Sequence, residues 1–537
     1  MIPSLVNALW QAASIRQARR FAGSIGRVAE TQAEWLAACL AENRDTEYGR
    51  RHGFGAIRSV AAYQERVPLT VYDDYAAEIA RLAAGETRLL TRQPVLRFEL
   101  SSGSTAASKL IPSTAGLRAE FQRGLAAWIA DLYRHDPQLR EGPAYWSITP
   151  LVDGPRTTEG GIPIGFDADS AYLGPLGALV ESTLAVPGAV RHLREVAAFR
   201  YATLLFLLRA ERLRLISVWN PTFLTLLLAP LREWWEPLLA DLAAGTLHPP
   251  VPIDPLLRRQ LERRLRPAPR RARALAQERP EDVAALWPRL RLLSCWADGP
   301  AAPYAEELRR RFPHVTLQPK GLLATEAFVS FPLVGHPGAA LATTAHFFEF
   351  LADSGEARLA HQLDQGHTYE AVVTTGGGFY RYQLHDVVEV VGFVDQAPCL
   401  RFVGKTDQVS DWFGEKLNER FVAGVLERLF ARHRLQPSFA LVAPEPVAGE
   451  LRYALYVELQ HPQDWSGLSQ DLDRALCENF HYAYCRRLGQ LAPPRVVPVV
   501  EGQERYLRAC QSQGQKLGNV KPAVLQKAPQ WGEWLGA

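Results

Sequence analysis

The sequence contains little lysine. Of its 60 basic residues only seven are lysines, and the other 53 are arginines. An ammonium group is a compact point charge, for which the planar guanidinium fork is no substitute. A chain that uses arginine for ordinary surface charge is therefore expected to keep lysine where the compact charge matters. The lysines are Lys109, Lys320, Lys405, Lys416, Lys516, Lys521 and Lys527.

Cysteine and long apolar runs are also scarce. The six cysteines include no C-x-x-C pair, which argues against a disulfide framework or a zinc site and predicts reduced, packed thiols. No apolar run approaches membrane-spanning length, and the N-terminus has no apolar core followed by a cleavage site. We therefore expect a soluble cytoplasmic protein without a membrane partner.

Neither sign of charge dominates, since 60 basic residues oppose 57 acidic ones and the formal net charge is +3. Residues 258–273 do contain eight arginines in sixteen positions, but no aromatic residue interleaves with them. A solvated helix explains that segment better than a nucleic-acid site does. No nucleic-acid partner is predicted.

The length and the pattern of the chain predict several domains. At 537 residues the chain exceeds one ordinary core. Short β-like runs alternate with helical patterns through the middle of the chain, which favours an α/β domain with a largely parallel sheet. A β-rich segment at 368–394 contains three consecutive glycines and favours a hairpin or a small distorted β-barrel. We predict a large N-terminal α/β domain at 1–405, a hinge at 406–411 and a smaller α+β domain at 412–537.

Residues 94–114 have the pattern of a phosphate-binding segment. A β-like run leads into Ser101-Ser-Gly-Ser-Thr-Ala-Ala-Ser and Lys109, and a helical pattern begins at Ala115. Small side chains let backbone N–H groups approach an anion, while the hydroxyls add donors and the lysine adds charge. A strand, a loop and a helix in this order would aim backbone donors at an anion.

Two further segments carry residues suited to phosphate chemistry. One is Ala324-Thr-Glu, which follows a predicted strand, and the other is Tyr380-Arg-Tyr-Gln-Leu-His-Asp, which ends at Asp386. Each motif is weak alone, because such residues commonly occupy turns and helix starts. The chain lacks the Walker, Gly-x-Ser-x-Gly and His-Glu-x-x-His strings, so those enzyme classes are set aside.

The ordered set of motifs resembles that of the adenylate-forming superfamily. Within it, the set is most similar to the auxin-responsive acyl-acid amido synthetases (the Gretchen Hagen family), in a form like their bacterial members. The resemblance covers about residue 30 to about residue 525. It implies a hinge and a mobile C-terminal domain, with ATP as a substrate and Mg²⁺ as a cofactor.

The resemblance also implies the ATP-binding residues. The phosphate loop would hold the β- and γ-phosphates, Thr325 and Glu326 would face the α-phosphate, and Asp386 would hold the ribose hydroxyls. Glu326 would also bind Mg²⁺. The implied ATP-binding set is Ser101, Ser102, Gly103, Ser104, Thr105, Lys109, Thr325, Glu326, Asp386, Lys405 and Lys416.

Three residues would be catalytic by the same resemblance: Glu326, Lys416 and Lys521. A carboxylate attacks the α-phosphorus of ATP and expels pyrophosphate, so lysines, Mg²⁺ and backbone donors must stabilise the developing charge. An amine or amino acid then attacks the acyl adenylate after the small domain turns about the hinge. The implied partners are thus a small carboxylic acid and an amine. The oligomeric state is not predicted.

The sequence departs from the family pattern at two positions. His385 replaces the glycine before Asp386, and Lys405 replaces a hinge arginine, which loses the bidentate fork. Two alternatives to amide formation stay open: transfer of the acyl group to a thiol of coenzyme A or a carrier protein, and nucleotide binding without turnover. The resemblance puts the acyl pocket between the helix that carries Arg118, Gln122 and Arg123 and segments 145–149 and 220–223.

Overall fold

The computed structural model describes residues 2–101, 109–147, 156–165, 173, 176–406, 409–447, 450–459, 465, 467–513, 515 and 520–536. Several predicted residues lie outside these ranges. They are Ser102, Gly103, Ser104 and Thr105 of the phosphate loop, residues 148–149 of the predicted acyl-pocket segment, and residues 407–408 of the hinge.

Helices and strands alternate along the chain. The α-helices are α1 Ile2–Ser24, α2 Val28–Asn43, α3 Glu47–Arg51, α4 Val60–Arg66, α5 Ala76–Ala83, α6 Ala115–His135, α7 Gly177–Glu181, α8 Val196–Arg209, α9 Pro221–Leu228, α10 Trp235–Ala244, α11 Pro255–Leu265, α12 Pro269–Leu275, α13 Val283–Leu286, α14 Ala302–Arg311, α15 Glu419–His433, α16 Leu468–Leu476, α17 Phe480–Arg487, α18 Gly502–Ser512 and α19 Trp531–Leu535. The strands are β1 Arg97–Ser101, β2 Lys109–Ser113, β3 Ala144–Trp146, β4 Arg156–Thr157, β5 Pro163–Ile164, β6 Leu215–Ser217, β7 Leu292–Cys295, β8 Thr316–Pro319, β9 Ser330–Phe331, β10 Ala339–Leu341, β11 Phe347–Leu351, β12 Ala357–Leu359, β13 Thr368–Thr374, β14 Tyr382–Val394, β15 Ala397–Lys405, β16 Val409–Ser410, β17 Leu417–Asn418, β18 Pro437–Val447, β19 Glu450–Leu459 and β20 Arg495–Pro498.

The predicted parallel sheet is confirmed. Strands β3, β6, β7 and β8 pair in that order, and all three pairings are parallel. Helix α8 packs in the core beside this sheet and is buried along most of its length, so its apolar residues do not form a one-sided stripe. The carboxyl ends of the four strands lie at one edge, which is where α/β sheets bind ligands.

The phosphate-binding segment has a different geometry from the predicted one. Strand β1 pairs antiparallel with β2, and Ser101 lies opposite Lys109 in the register. The loop therefore joins two antiparallel strands, and the expectation of a strand, a loop and a helix was wrong. Helix α6 begins only after β2, with Thr114 as its N-cap. The β-branched and apolar residues of the segment Lys109–Ser113 form a strand before the helix can start.

The β-rich segment forms a large antiparallel sheet. Its strands lie in the order β12, β11, β13, β14, β15, β10 and β9, and they include the predicted hairpin of β13 and β14. Among the described residues the pairings form one row, and no pairing closes that row into a barrel. Strands β14 and β15 are central in the row, so their backbones are fixed on both sides.

The C-terminal part forms the predicted α+β unit from strands β18, β19 and β20. One face of this sheet packs with α15, α16 and α17 through residues such as Val442 and Leu455. The other face, with Leu441 and Tyr456, joins the core that contains α8 and α9. Residues 468–487 form two helices, α16 and α17, because Asn479 caps a new helix at that point.

Other expectations concern the surface and the thiols. The six cysteines are unpaired thiols, as predicted, and five of them are buried. The arginine-rich segment forms α11 and α12, which bury Leu261, Leu265 and Leu275 and turn most of their arginines outward. Across the described ranges, no helix combines the length and the apolar character needed to cross a bilayer.

Candidate active site

Two predicted residues, Asp386 and Lys405, face each other across strands β14 and β15. They are register partners, and the ammonium Nζ lies 3.0 Å from the carboxylate Oδ1. Asp386 is only 1% exposed, whereas Lys405 is partly exposed. The lysine also donates to the carbonyl of Leu384 at 3.4 Å. Since the backbone register fixes both residues, the carboxylate is positioned before any ligand arrives.

Glu326 lies close to this pair. It is 8% exposed, and burial raises the pKa of its carboxyl group, an effect that Asp386 strengthens. Hydrogen bonding to its own backbone N–H and the charges of Lys405 and Lys109 oppose the rise in pKa. The structure thus brings Glu326, Asp386, Lys405 and Lys109 into one electrostatic environment. A buried carboxylate held near two ammonium groups is suited to a ligand that carries both phosphate and a divalent cation.

Lys521 reaches the same environment from the C-terminal part of the chain. Burial lowers the pKa of its ammonium group and Lys405 lowers it further, while Asp386 and Glu326 raise it. The Nζ atom lies 5.4 Å from the ring centroid of Trp296. A cation over an indole face is a favourable contact that does not neutralise the charge.

The backbone around Lys521 is fixed from both parts of the chain. Asn220, at the start of α9, donates from Nδ2 to the carbonyl of Val520 at 2.6 Å. Tyr506, on α18, donates from its hydroxyl to the carbonyl of Lys521 at 3.0 Å. The Asn220 bond joins the Lys521 segment to the large part of the molecule, and the Tyr506 bond joins it to the C-terminal part.

Lys416 is the predicted catalytic residue that the structure does not bring to this cluster. Its side chain is exposed on the turn between β16 and β17, with φ +45°. The turn is held by the buried carboxylate of Glu415, which accepts from the N–H groups of Trp412 and Phe413.

Two further predicted residues lie in the large part of the molecule. Thr325 lies partly buried beside Glu326. Lys109 begins β2, and its Nζ lies 5.2 Å from the ring centroid of Tyr72.

The departure at His385 has a backbone cause. His385 has φ +60°, in the left-handed region that favours glycine. Its ring turns toward the opposite side of β14 from Asp386, where Nδ1 lies 3.0 Å from Oε1 of Glu370. The His385 ring therefore pairs with Glu370 and faces away from the carboxylate of Asp386.

Arg381 was not assigned a role from the sequence, although it lies in the Tyr380 motif. Its guanidinium is buried against Glu349, with Nε at 3.0 Å and Nη2 at 3.0 Å from the carboxylate oxygens. Nη1 donates to the carbonyls of Gln64 and Val67, each at 2.8 Å. The arginine therefore ties the start of β14 to α4 and β11. The sequence contained a signal for this role, since an arginine between two buried tyrosines must find hydrogen-bond partners.

A second missed cluster is Glu120 with His346. Both oxygens of Glu120, on α6, accept from the N–H of Gly376 at 3.0 Å, and Oε2 lies 2.8 Å from Nδ1 of His346. Nε2 of His346 accepts from the N–H of Phe328 at 2.9 Å. The pair thus joins the helix after the phosphate loop, the turn after Glu326 and the loop before Tyr380. The sequence contained one signal for this cluster, namely a glutamate on the apolar face of α6.

The carboxyl edge of the parallel sheet is lined by tryptophans around Lys320. Nζ of Lys320 donates to Ser217 Oγ at 2.8 Å and lies 5.2 Å and 5.0 Å from the ring centroids of Trp128 and Trp219. The rings of Trp219 and Trp296 are 5.9 Å apart. This edge therefore runs from Lys320 to the tryptophan beside Lys521.

The donor set fits a magnesium ion that is bound chiefly by phosphate. Mg²⁺ prefers hard oxygen ligands and is usually held by one or two carboxylates together with phosphates and water. Glu326 offers a carboxylate whose pKa is raised by burial, so a cation would stabilise its ionised form. Among the described residues, no group of three or more metal-binding side chains forms a closed protein site.

Comparisons with known proteins bear on the whole chain. Family models for the GH3 N-terminal, central and C-terminal domains match residues 17–317, 339–405 and 430–530. The indole-3-acetic acid-amido synthetase GH3.2 of Arabidopsis thaliana is 24% identical over 534 residues, which cover 89% of this chain and 93% of that protein. A probable indole-3-acetic acid-amido synthetase, GH3.4 of Oryza sativa subsp. japonica, is 28% identical over 73% of this chain and 67% of its own length.

Comparison with solved structures finds acyl acid amido synthetases with a similar fold. The solved structure of AtGH3.15 acyl acid amido synthetase in complex with 2,4-DB has a TM-score of 0.85, is 21% identical, and matches over 98% of this chain and 96% of that one. These findings define the class of protein: a ligase that activates a carboxylic acid as an adenylate and then forms an amide bond. The chain belongs to the GH3 family. The predicted family and enzyme class are confirmed.

Proposed function

We propose that the cluster of Glu326, Asp386, Lys405 and Lys521 is the nucleotide site of this amido synthetase. One observation carries the proposal: residues separated by up to 195 positions meet in one buried environment. The resemblance implies that Glu326, Asp386 and Lys405 bind ATP and that Lys521 is catalytic. Lys109, the residue that follows the phosphate loop in the sequence, adjoins the cluster, because its charge acts on Glu326.

Each residue then has a defined task. Asp386 offers its carboxylate to the ribose hydroxyls of ATP, and Lys405 holds that carboxylate in place. Glu326 would hold Mg²⁺, which supplies charge neutralisation at the phosphates when bound. Lys521 points a compact positive charge at the α-phosphate region, where negative charge develops as the acid attacks. Lys109 and the serine-rich loop orient the pyrophosphate that departs.

The acid lies along the tryptophan-lined edge of the parallel sheet. Trp219 and Trp296 contribute partly exposed indole rings there, which favours an acid with an apolar or aromatic body. The names of the relatives support this substrate class, since one group acts on indole-3-acetic acid and AtGH3.15 binds 2,4-DB. The acyl acceptor is an amine, of which an amino acid is the form that the family suggests.

The domain division belongs to the same proposal. A large domain at 1–405, a hinge at 406–411 and a mobile domain at 412–537 would let Lys521 and Lys416 alternate at one site. In this structure Lys521 faces the cluster and Lys416 faces outward. Six free thiols and the absence of a membrane-spanning helix among the described residues support a cytoplasmic location.

Product analysis tests the function. The chain is incubated with Mg·ATP and a panel of aromatic and aliphatic acids, and AMP and pyrophosphate are measured. We expect their release to require an acid, whereas ADP and phosphate as products would overturn the proposal. Adding amino acids or coenzyme A to the same reactions separates the two acceptors. Amide products support the proposal, and thioester products formed alone would favour the thiol alternative.

A further inference from the structure

A second cavity lies away from the proposed nucleotide site. It has a volume of about 590 Å³ and is lined by α1, α2 and α6, with contributions from the loop before β1 and from Gly376. None of the residues assigned to ATP or to catalysis lines it. Its volume falls in the range of small-molecule pockets, about 300–1,000 Å³. We refer to it as the helical cavity.

Arginines dominate the charge of the helical cavity. Four arginines line it (Arg19, Arg20, Arg27 and Arg123), and three carboxylates line it as well (Glu34, Glu42 and Glu120). The carboxylates are already engaged. Glu34 pairs with Arg27 at 2.5 Å, Glu42 accepts from Gln93 at 2.8 Å, and Glu120 holds Gly376 and His346.

The other three arginines that line the helical cavity keep N–H groups that pair with no described residue. Within the described part of the chain, Arg19 and Arg20 form no hydrogen bond or ion pair. Arg123 donates from Nη2 to the carbonyl of Ala345 at 3.2 Å and lies 3.8 Å from Glu120. Its Nε is fully buried and has no hydrogen-bond partner among the described residues, although the side chain as a whole is 19% exposed.

Arg20 and Arg123 also act on one another. Burial lowers the pKa of the Arg123 guanidinium, and the charge of Arg20 lowers it further, against the opposing effect of Glu120. Both guanidinium groups line the cavity and their charges repel each other, so an anion bound between them would relieve that repulsion. Guanidinium groups bind carboxylate and phosphate groups through paired, charge-assisted hydrogen bonds.

The other wall of the helical cavity is apolar. Trp35, Ala38 and Ala119 line it, and the Trp35 ring packs edge-on against the ring of His346 at 6.4 Å. An indole face beside a cationic wall suits a ligand with an anionic head and an apolar body. A bare inorganic ion would leave this wall in contact with water.

We propose that the helical cavity is a binding site for a small organic anion, with its carboxylate or phosphate head on Arg20 and Arg123 and its apolar body on Trp35. The site shares helix α6 with the predicted acyl pocket, but no residue of segments 145–149 or 220–223 and no predicted ATP-binding residue lines it. It lies on the face of α6 that carries Gly116, Glu120 and Arg123, and it goes beyond the amide-forming activity.

Calorimetric titration of the full chain tests the proposal. The probes are benzoate and phenyl phosphate, with acetate and inorganic phosphate as head groups without a body, and AMP is present to fill the nucleotide site. We expect benzoate or phenyl phosphate to bind. R20Q and R123Q should each weaken that binding about tenfold or more, since each removes a charged hydrogen-bond donor. R16Q, an exposed arginine of α1 outside the cavity, is the matched control and should leave binding unchanged.

The outcomes separate the parts of the proposal. Binding of benzoate that neither R20Q nor R123Q alters belongs to the acyl pocket and would overturn the assignment, as would a lack of heat with all four probes. Acetate and inorganic phosphate that bind as tightly as their phenyl counterparts would overturn the role of Trp35. R20Q keeps the test independent of folding, because Arg20 is exposed. The relative affinities of benzoate and phenyl phosphate decide which head group the site prefers.

Discussion

The two halves of the proposed nucleotide site are built in different ways. In the large part of the molecule, Asp386 and Lys405 are register partners in the middle of a seven-stranded sheet. In the C-terminal part, Lys521 lies outside any helix or strand and is held by Asn220 and Tyr506 through backbone carbonyls. One half is fixed by strand pairing, and the other by side-chain hydrogen bonds to backbone carbonyls.

The difference suggests how the work is divided. A carboxylate fixed in a sheet is suited to a contact that must persist through both half-reactions, such as the ribose contact. A lysine on a docked segment is suited to a contact that is needed in one half-reaction and removed in the other. The exposed Lys416, on the turn held by Glu415, is the residue that would replace it.

The largest expected effect is that of Lys521→Ala. Removing a charge aimed at the developing phosphoryl charge should lower adenylate formation by about 10²- to 10³-fold. Transfer from a preformed acyl adenylate to an amine should change far less. Acid-dependent exchange of pyrophosphate into ATP measures the first step, and amide formation from a synthetic adenylate measures the second. Lys527→Ala, on the same tail, serves as the control, and equal losses in both steps would contradict the division of work.

The titration of Lys521 gives a pH test of the same contact. Burial lowers the pKa of this ammonium group, so its charge is lost at a lower pH than that of an ordinary lysine. Activity that depends on the charge should therefore fall as the pH rises through the lowered pKa. We expect kcat/KM for ATP to show an alkaline limb below about pH 10.4, the ordinary lysine value. The limb should disappear in Lys521→Arg, and a limb that persists unchanged would assign the titration to another group.

Glu326→Gln tests the half of the site that lies in the large part of the molecule and should have the next largest effect. The substitution keeps the shape of the side chain and removes the charge that would hold Mg²⁺. We expect the rate of adenylate formation to fall about 100-fold, which is the usual cost of losing one electrostatic contact to a transition state. We also expect a higher Mg²⁺ concentration at half-maximal rate. Glu389→Gln, a carboxylate of β14 that pairs with Arg401, is the control. An unchanged Mg²⁺ dependence would remove the metal from the role of Glu326.

His346→Ala should have a smaller effect, through position rather than contact. The substitution leaves the Phe328 N–H and the Glu120 carboxylate without their buried partner, at a loss of about 1–3 kcal/mol for an unsatisfied group. We expect a lower Tm and roughly a tenfold drop in kcat for adenylation, with KM for the acid nearly unchanged. His346→Gln can still accept from Phe328 and should restore part of both. A lower Tm with unchanged kcat would leave the pair with a structural role alone.

Much of this arrangement could be predicted from the sequence. The order of the motifs identified the family, and the residues that converge on Glu326 were assigned in advance. Alternating β-like and helical runs predicted the parallel sheet, because strands β3, β6, β7 and β8 are short apolar runs set apart by helices. These features depend on local pattern, which the sequence states directly.

The remaining features depend on long-range packing. Strand β2 was missed because Lys109–Ser113 is short and includes a proline, so only its pairing with β1 makes it a strand. The pair of Glu120 and His346 joins residues 226 positions apart, and no local pattern links them. The same holds for Arg381 and Glu349, whose partners become apparent only when β14 lies beside α4 and β11.

His385→Gly tests the sheet-bound half with the smallest expected effect. Glycine adopts the φ of +60° without the steric penalty of a side chain, about 1 kcal/mol, but it loses the contact with Glu370. Because these effects oppose each other and the ring faces away from Asp386, KM for ATP should change less than about twofold. His385→Ala removes the ring and keeps the backbone penalty, so comparing the two variants separates ring from backbone. A fall of KM in both variants alike would mean that the ring crowds the ribose position. The fixed position of Asp386 opposite Lys405 would then not be enough to keep the ribose site open.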